Sequence, residues 1–379
     1  MKYCKVCLYP DTKPGLEFDN EGMCSACKNN ELKSTVDWAS RKSQLLEIIE
    51  KYKSKTGSRY DCIIPVSGGK DSTYQTYVMK EEFGLNPLVV NFHPLDQTDI
   101  GKKNLENLKK LGVDCIEFSP NPNVYLKLAK YGLTELGDFQ WPEHIGIFTV
   151  PVQFAVKYKI PLIIWGENPQ LEYGQPTDID KETILDKEWT EKNGGFFLDK
   201  IKPEDMTKFG FKINDLKPYL YPSENEILQV GIKGIFLGMY IKWDIFKQLE
   251  IVKKLGFSEN DEIKEGTYDK WENLDVYFTV FHDYFKFLKY GFGRTTDHTS
   301  IEIRYGRMTR EQGIQLVKQY EGKIPRKYLK EFLNAADITM NEFEEICDKF
   351  TNKELFQTDQ DGKLVKDKDS DLTLKKEIT

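Results

Sequence analysis

The first half of the chain alternates between short β-prone runs and stretches in which apolar residues recur at helical spacing. The four β-prone runs are residues 60–66, 87–92, 114–119 and 161–165. Of the helical stretches between them, residues 71–83 end at Gly84, and a second helix begins after the N-cap residue Thr98 and ends at Gly112. Strands of this length separated by helices are typical of βαβ units. The pattern predicts an α/β fold with a parallel sheet that carries helices on both faces.

Outside this alternation the chain divides into segments of different character. The predicted segments are a cysteine-rich module at 1–33, a helical linker at 34–57, an α/β domain at 58–235 with an insertion around 168–235, a helical C-terminal region at 236–356 and a polar, flexible tail at 357–379. The linker is predicted from Trp38, Leu45 and Ile49, which recur at helical spacing. The insertion is predicted because residues 168–235 mix Pro, Gly and charged residues without a clear period.

Composition and charge narrow the function classes. The chain has 379 residues, 39% of them hydrophobic, which is too apolar for a disordered protein. A formal net charge of −7 disfavours a nucleic-acid partner, since such surfaces carry a basic excess. No run reaches the roughly 18 apolar residues of a membrane span. Cys4, Lys5 and Cys7 fall where a signal peptide has its apolar core, so we expect a cytoplasmic protein.

Four of the seven cysteines form two CxxC pairs. They are Cys4, Cys7, Cys24 and Cys27. This two-knuckle spacing is typical of a tetrahedral zinc site, and a reducing compartment favours a metal over disulfides. Four thiolates would complete the coordination of Zn²⁺, so we expect the ion to be structural. Disulfides, an iron–sulfur cluster and free thiols are the alternatives.

The segment Ser67–Thr73, with the sequence Ser-Gly-Gly-Lys-Asp-Ser-Thr, joins the first β-prone run directly to a helix. Glycines after a strand let backbone N–H groups approach phosphate oxygens, and the helix N-terminus adds a partial positive charge. Asp71 can hold Mg²⁺ against a phosphate. A Walker A loop is excluded, because Ile64 stands where that motif needs glycine and Asp71 where it needs Ser or Thr. The alternative is an ordinary polar turn.

The order Ser-Gly-Gly-Lys-Asp-Ser after a hydrophobic strand resembles the loop of the PP-loop, or ATP pyrophosphatase, superfamily. The resemblance implies an enzyme that uses ATP and Mg²⁺, activates a carbonyl-type oxygen, and releases AMP and pyrophosphate. Carried over by position, the residues implied to bind these ligands are Ser67, Gly68, Gly69, Asp71, Ser72, Thr73, Asn91, His93, Gly166, Glu167, Asn168 and Glu172. Ligand binding beyond the carboxyl ends of the strands is also what an open parallel sheet predicts.

Further blocks narrow the resemblance to the N-acetyl sugar amidotransferases of bacterial surface-polysaccharide biosynthesis. The blocks are residues 4–12, 22–27, 165–174, 291–298 and 303–307. This resemblance implies that the enzyme adenylates the amide oxygen of an N-acetylated sugar, free or nucleotide-linked, and that ammonia then displaces AMP to give an acetamidino sugar. The implied catalytic residues are Lys70, Asp71, Arg294 and Asp297. Arg304 and Arg307 are further candidates for clamping a diphosphate, and His298 is the histidine that most merits a test.

The source of ammonia is a separate question. A glutamine-hydrolysing domain needs a nucleophilic cysteine, either amino-terminal or on a strand–helix elbow. Lys2 occupies the second position, and no Gly-x-Cys-x-Gly elbow occurs. We therefore expect a separate glutaminase subunit to supply ammonia.

Three rival functions remain open. A PP-loop tRNA-modifying enzyme, such as a thiolase or a lysidine-type ligase, can also carry paired cysteines, but the acidic charge disfavours tRNA. A thiolase also needs active-site cysteines, whereas Cys62 and Cys115 fall inside predicted strands. An enzyme that resembles asparagine or NAD synthetase and forms an amide on a small molecule would differ from a sugar amidotransferase only in its acceptor substrate. A zinc-knuckle interaction protein with a degenerate nucleotide fold would release no pyrophosphate.

Overall fold

The computed structural model describes residues 1–53, 60–174, 187, 202–376 and 378. These residues form one five-stranded parallel sheet with the strand order β3-β2-β1-β4-β5. The strands are β1 Cys62–Pro65, β2 Pro87–Phe92, β3 Asp114–Phe118, β4 Leu162–Trp165 and β5 Lys233–Phe236. The four strands predicted from the sequence are confirmed. The edge strand β5 was missed, because its four residues lie at the end of the region assigned to an insertion.

Helices surround the sheet and dominate the C-terminal half. The described helices are α1 Ser25–Lys33, α2 Trp38–Tyr52, α3 Lys70–Tyr77, α4 Asp99–Lys109, α5 Pro122–Tyr131, α6 Trp141–Tyr158, α7 Pro169–Tyr173, α8 Ile213–Leu216, α9 Glu224–Val230, α10 Ile245–Lys254, α11 Thr279–Tyr290, α12 Arg294–Arg304, α13 Arg310–Tyr320, α14 Leu329–Ala336 and α15 Met340–Phe350. Single π-helical turns extend α3 at Val78–Glu82 and α5 at Gly132–Leu136. No helix among the described residues is long and apolar enough to cross a bilayer.

The strand order creates a switch point between β1 and β4. The chain moves outward from β1 to β2 and β3, then returns to pair β4 with the other side of β1, where Ile63 faces Ile163. Right-handed crossovers put α3 and α4 on one face of the sheet and α6 on the other. Strand order therefore reverses directly beside the loop that follows β1, which is where open α/β sheets bind ligands. The predicted fold, a parallel sheet with helices on both faces, is confirmed.

Helix α6 packs across β1, β2 and β4 and fixes the floor of this switch point. Its sequence is apolar nearly all round, as expected of a helix covered on several sides. Gly146 lets it approach the sheet closely, since a Cβ there would lie 2.3 Å from the ring of Phe92. Phe148 of the same helix stacks on Trp165 at the end of β4, with ring centroids 4.4 Å apart. An aromatic wall thus lines the carboxyl edge of the sheet.

The C-terminal helices form an aromatic core that continues into the α/β core. Phe281 of α11 stacks on Phe332 of α14 with centroids 3.9 Å apart, and Phe139, which precedes α6, lies 5.0 Å from Phe332. A backbone hydrogen bond from Thr98 N–H to Asp275 O, 2.9 Å long, joins the cap of α4 to the C-terminal region. The helical C-terminal region predicted at 236–356 is therefore packed against the sheet domain.

The structure describes some of the predicted segments more completely than others. Helix α2 occupies most of the predicted linker, with Leu45 and Ile49 buried against the core. Part of the predicted insertion, residues 175–186 and 188–201, lies outside the described residues.

The polar tail is ordered over residues 357–376, contrary to the flexible segment expected from its composition. Its isolated antiparallel bridges are Phe356↔Leu374, Thr358↔Leu364 and Lys366↔Leu372. Asp359 and Asp367 accept hydrogen bonds from backbone N–H groups two and four residues ahead, which closes two turns. Asp371 is buried and accepts a 2.9 Å hydrogen bond from the Ile324 N–H. The polar residues therefore make turns and anchor the segment.

Candidate active site

The loop after β1 presents backbone amides to the switch point. Gly68 has a φ of +88°, and a Cβ on it would lie 2.7 Å from the backbone nitrogen of Leu105, so glycine alone fits this close approach. Gly69 caps α3 without a side-chain hydrogen bond. The first N–H groups of α3 therefore remain available for an anion, and the helix dipole favours one there.

The three hydroxyl residues of this loop differ in placement. Ser67 and Ser72 line the cavity at the switch point. Thr73 is buried, and its hydroxyl donates a 2.9 Å hydrogen bond to Gly69 O. Thr73 was predicted to bind the nucleotide, but the structure uses its hydroxyl to close the loop, because an inward-facing threonine can satisfy a carbonyl at the helix start.

Lys70 and Asp71 belong to one charged cluster with a residue of the C-terminal region. The Lys70 ammonium lies 2.6 Å from Asp71 Oδ2 and 2.5 Å from Glu272 Oε1. It also lies 5.0 Å from the centre of the Trp271 ring. Burial alone would lower the pKa of Lys70, but the two carboxylates raise it well above its ordinary value. Burial is the main cause that raises the pKa of Asp71.

A cavity of about 310 Å³ opens at the carboxyl ends of β1, β2 and β4. Its wall includes Asn91 and Phe92 from β2 and Trp165 from β4. Two buried polar atoms of this wall have no hydrogen-bond partner among the described residues, Asn91 Oδ1 and Trp165 Nε1. Buried polar groups are normally satisfied, so an unpartnered acceptor and an unpartnered donor on residues that line a cavity favour a polar ligand there. The volume is at the small end of ligand sites and suits a nucleoside.

Gly166 and Glu167, which follow β4, border the same cavity. A Cβ on Gly166 would lie 3.2 Å from the Trp243 ring. Burial, with the nearby charge of Asp71 as a second cause, raises the pKa of Glu167 to about 7. Glu167 and Asp71 thus form a carboxylate pair in which like charges oppose full ionisation, and a divalent cation between them would relieve that repulsion.

Asn168 and Glu172 were predicted to bind the nucleotide, and the structure places both away from the described cavity. The Asn168 side chain accepts hydrogen bonds from the Gln170 and Leu171 N–H groups and so caps α7. Glu172 forms a 2.5 Å ion pair with Lys33 at the end of α1. Both residues therefore build the local loop, because a short helix after a strand needs a cap and an anchor.

The first turn of α12 brings two further predicted residues to the cleft. Arg294 Nε donates a 2.8 Å hydrogen bond to Asp283, and its Nη1 lies 4.0 Å from Glu272 Oε2. Through Glu272, Arg294 joins the Lys70 cluster. Asp297 forms an ion pair with Lys286, and its other oxygen lies 3.8 Å from the Lys13 ammonium. Opposite charges hold the pKa of Asp297 well below its ordinary value although burial opposes this shift.

Lys13 is the unexpected member of this group, since it comes from the cysteine-rich module. Its ammonium lies 4.9 Å from the ring of Tyr9, 5.4 Å from Phe292 and 5.7 Å from Tyr173. Burial lowers the pKa of Lys13 to about 8. Two buried atoms beside it, Tyr9 Oη and Asp297 Oδ1, have no hydrogen-bond partner among the described residues. Lys13 is thus surrounded by aromatic rings and lies beside two buried polar atoms without hydrogen-bond partners, on the side of the cleft that the C-terminal region forms.

The remaining candidates of the C-terminal blocks have structural partners. Arg304 donates a 2.8 Å hydrogen bond to Glu172 O, and Arg307 lies 2.8 Å from Asp244 Oδ1. The His298 Nδ1 lies 2.7 Å from Asp269 Oδ2, and its ring stacks on Trp271. Burial lowers the pKa of His298, but the hydrogen bond to Asp269 and the negative charges of Glu272 and Asp269 together outweigh it, and the net shift is upward. Arg307 could clamp a diphosphate only by exchanging Asp244, whereas Arg304 Nη1 is buried without a hydrogen-bond partner among the described residues.

The four cysteines of the module converge as predicted. Cys4 Sγ lies 3.8 Å from Cys27 Sγ, and Cys24 Sγ lies 3.6 Å from both Cys7 Sγ and Cys27 Sγ. Four sulfurs bound at about 2.3 Å around one tetrahedral zinc are separated by roughly 3.8 Å, so the spacing fits Zn²⁺. Backbone N–H groups, such as Val6 N at 3.4 Å from Cys4 Sγ, point at the sulfurs as outer-shell donors do. None of the seven cysteines is in a disulfide.

His93 was predicted beside the nucleotide, but it follows β2 outside the described cavity, with Nδ1 3.8 Å from Glu117.

Some residues of the candidate site could not be identified from the sequence. Lys13, Trp271 and Glu272 were not predicted at all. They belong to loops far from Ser67 in the chain, and no local spacing rule signals that such loops meet at one sheet edge.

Comparison with known proteins identifies the C-terminal region. Residues 265–368 match the family model for the C-terminal domain of LPS biosynthesis protein WbpG-like proteins. The matched segment contains Glu272, Arg294 and Asp297. The resemblance to surface-polysaccharide biosynthesis proteins is thus confirmed over this segment.

Similarity to other proteins is partial. An uncharacterized protein of Methanocaldococcus jannaschii is 33% identical over 105 residues, 27% of this chain, and the chain spans 36% of that relative. Solved structures include a predicted subunit of tRNA methyltransferase from M. jannaschii, with 15% identity, TM-score 0.27 and coverage of 55% of this chain and 80% of the other. NMN synthetase from Francisella tularensis has 15% identity, TM-score 0.29 and coverage of 52% and 91%. NH3-dependent NAD synthetase from Campylobacter jejuni has 14% identity, TM-score 0.30 and coverage of 61% and 100%. Scores at this level support no functional inference.

Proposed function

We propose that this chain is an ATP-dependent amidotransferase of lipopolysaccharide or related surface-glycan biosynthesis. It adenylates the amide oxygen of an N-acetylated sugar and lets ammonia replace that oxygen, with release of AMP and pyrophosphate. The observation that carries the proposal is the contact between Lys70 of the phosphate loop and Glu272 of the WbpG-like region. A nucleotide-type loop and a region matching lipopolysaccharide biosynthesis proteins thereby share one cleft.

The cavity beside the loop suits the adenosine of ATP. Asn91 Oδ1 accepts hydrogen bonds and Trp165 Nε1 donates them, and both lack partners among the described residues. Adenine offers an amino group and ring nitrogens as complements. Phe92 and Phe148 supply flat apolar surface in the same wall. The adenosine would thus lie against the carboxyl ends of β2 and β4.

The triphosphate would then extend towards Gly68 and Gly69 at the start of α3. Free backbone N–H groups and the Lys70 ammonium would bind the β- and γ-phosphates, which leave as pyrophosphate. Asp71 and Glu167 would hold Mg²⁺, which neutralises phosphate charge when bound. Lys70 would have to release Glu272 in order to bind phosphate. Its positive charge therefore already stands where an anionic ligand would bind.

The proposed reaction consists of two successive displacement steps. The amide oxygen of the acceptor attacks the α-phosphorus, and the bond between that phosphorus and pyrophosphate breaks. Ammonia then adds to the activated carbon, the carbon–oxygen bond breaks, and AMP leaves with the former amide oxygen while a proton is released. Holding acceptor and ATP in line is the main contribution the protein can make, together with cationic groups near the developing charge.

The C-terminal side of the cleft suits the acceptor. Tyr9 Oη and Asp297 Oδ1 are buried without a hydrogen-bond partner among the described residues, and the Lys13 ammonium lies 3.8 Å from that Asp297 oxygen. Aromatic faces next to such groups are well matched to a hydroxyl-rich ring with apolar C–H edges. The Tyr173 ring lies 5.7 Å from the Lys13 ammonium. Burial is the main cause that raises the pKa of Tyr173, and the charges of nearby carboxylates add to it.

An isotope experiment tests the proposal directly. The protein is incubated with ATP, Mg²⁺, ammonium and a panel of N-acetylated sugars and nucleotide sugars labelled with ¹⁸O in the amide. Transfer of label to AMP, together with a product in which NH has replaced O, would establish both the activation step and the acceptor. Formation of ADP in place of AMP, or no nucleotide cleavage with any acceptor, would refute it.

A further inference from the structure

A second cluster of metal-ligand side chains shares no residue with the cysteine cluster or with the lining of the proposed ATP cavity. It consists of Asp138, His144 and His282. Among the described residues, it and the four cysteines are the groups whose ligand atoms all lie within 4.8 Å of one another. Asp138 precedes α6, His144 lies in its first turns, and His282 comes from α11 of the C-terminal region. The cluster therefore spans the boundary between the sheet domain and the helical region.

The separations fit coordination of a single ion. His282 Nδ1 lies 2.9 Å from Asp138 Oδ1, and His144 Nδ1 lies 3.5 Å from Asp138 Oδ2. Because the two distances run to different oxygens of Asp138, a single ion would be held by both carboxylate oxygens and by one nitrogen of each ring. With metal–ligand bonds of about 2.0–2.2 Å, each nitrogen and its neighbouring oxygen would subtend an angle of about 90° or about 115° at the metal. The two rings meet edge to face with centroids 4.9 Å apart, and one ligand atom from each of the three residues lies within 4.8 Å of the others.

The backbone holds Asp138 in place before any ion binds. Gly137, directly before it, has a φ of +61°, and a Cβ there would lie 2.8 Å from Phe350. A Cβ on Gly132 would lie 2.4 Å from the Asp138 carbonyl oxygen. The carboxylate also accepts a 3.0 Å hydrogen bond from the Gln140 N–H. The anionic ligand is therefore fixed, as preformed metal sites require.

Charge and access also favour a cation. Burial would raise the pKa of Asp138, but the two histidines lower it well below its ordinary value, so the carboxylate is ionised at neutral pH. The side chains of His144 and His282 are 30% and 23% exposed, which leaves an entry path and room for water ligands.

We propose that Asp138, His144 and His282 bind a divalent transition-metal ion that clamps α6 to α11. Two imidazoles and one carboxylate favour Zn²⁺, Co²⁺, Ni²⁺ or Fe²⁺ over Mg²⁺ and Ca²⁺, which prefer oxygen ligands. Water completes the coordination from the exposed side. The ion has a stabilising role between the two regions and is separate from the four-cysteine site.

Metal counting in the full-length protein tests this site. The protein is loaded with excess Co²⁺, dialysed against metal-free buffer, and its metal is measured by mass spectrometry. We expect two ions per chain in the wild type and one in the double variant H144Q/H282Q. H93Q, which changes a histidine outside both clusters, should keep two. Thiolate-to-cobalt absorption from the cysteine site should be equal in all three proteins, which also shows that the module remains folded.

A second, more conservative variant distinguishes loss of metal binding from loss of folding. Asp138→Asn keeps the size and hydrogen-bonding capacity of the side chain but removes its charge, and should weaken binding of the second ion roughly tenfold or more. The ion should also raise the melting temperature of the wild type and not that of H144Q/H282Q. One ion per chain in the wild type, or equal numbers in wild type and both variants, would overturn the proposal.

Discussion

The ammonium group of Lys70, the first residue of α3, lies 2.5 Å from the carboxylate of Glu272, two hundred positions further along the chain. This ion pair joins the phosphate loop to the WbpG-like region. In the proposed function, a phosphate that binds Lys70 competes with Glu272. Glu272 would then set part of the affinity for the nucleotide as well as the position of Lys70.

The variant E272Q should bind ATP more tightly in the absence of Mg²⁺. Glutamine can still accept a hydrogen bond from Lys70 but no longer competes as an anion, so we expect the dissociation constant to fall by roughly threefold to tenfold. Calorimetric titration measures the change. E262Q, at an exposed carboxylate paired with Lys327, serves as the matched control, and an unchanged or weaker affinity in E272Q would contradict this role.

Asp71→Asn should abolish pyrophosphate formation. The substitution removes a carboxylate proposed to hold Mg²⁺ beside the phosphates, and we expect a loss of at least about 100-fold in the rate. Zinc content should stay at the wild-type value because the module lies elsewhere. D99N, at an aspartate whose side chain is 96% exposed, is the control. Wild-type rates in D71N would remove Asp71 from the site.

Much of this architecture is visible in local sequence signals. The spacing of apolar runs predicts four strands, because a fully covered parallel sheet needs short apolar segments. Ser67–Thr73 predicts a phosphate loop, because glycines and a helix start have a direct physical meaning. The strand Lys233–Phe236 escapes detection because a four-residue edge strand after a polar region has too little pattern of its own.

The parts of the site that combine residues from distant segments of the chain depend on tertiary contacts. Glu272, Lys13 and Trp271 carry no periodic or motif signal, since each acts through residues brought close by folding. Glu172 illustrates the converse error. It follows a strand at the correct sheet edge, but an ion pair with Lys33 turns its side chain towards the module. Position in a strand-following loop thus indicates a site without fixing which way each side chain faces.

Glu167→Gln should stabilise the protein at alkaline pH. The pKa of Glu167 is raised from 4.5 to about 7, so the folded state resists ionisation. Below pH 4.5 the carboxyl is neutral in folded and unfolded chains alike, and wild type and variant should be equally stable. As pH rises from 4.5 to 7 the wild type loses stability that the variant keeps, and above pH 7 the difference is full, about 1–3 kcal/mol.

Urea denaturation at pH 5 and pH 8 measures this difference. The exposed Glu224→Gln variant provides the baseline. A stability gain in E167Q that is equal at both pH values would show that ionisation of Glu167 is not its cause.

Lys13→Met should impair use of the acceptor and spare ATP. The Lys13 ammonium stands beside Asp297 and three aromatic rings on the proposed acceptor side. We expect KM for the acceptor identified by isotope transfer to rise roughly tenfold, because one charged hydrogen bond is lost. KM for ATP and zinc content should not change. Lys2→Met tests the same substitution at an exposed lysine of the module, and Lys13→Arg should restore part of the affinity.

Ammonium salts should support turnover by the chain alone, and glutamine should not. The cysteines outside the zinc cluster are poor nucleophiles. Burial raises the pKa of Cys62 and Cys347 well above the ordinary thiol value and that of Cys115 to about 11. Coupled detection of pyrophosphate with each nitrogen source decides the point. Robust glutamine-dependent turnover in the purified chain would show that no separate glutaminase is needed.

The docking of the cysteine-rich module has a consequence for how the protein folds. The Leu8 N–H donates to the hydroxyl of Ser300, and Thr12 donates to the carbonyl of Tyr290. The two contacts join residues that are 292 and 278 positions apart in the chain. Closing loops of this length costs entropy before any contact is gained. The module therefore takes its place only after α11 and α12 have formed a surface to receive it, and the cleft that holds Lys13 depends on this long-range contact.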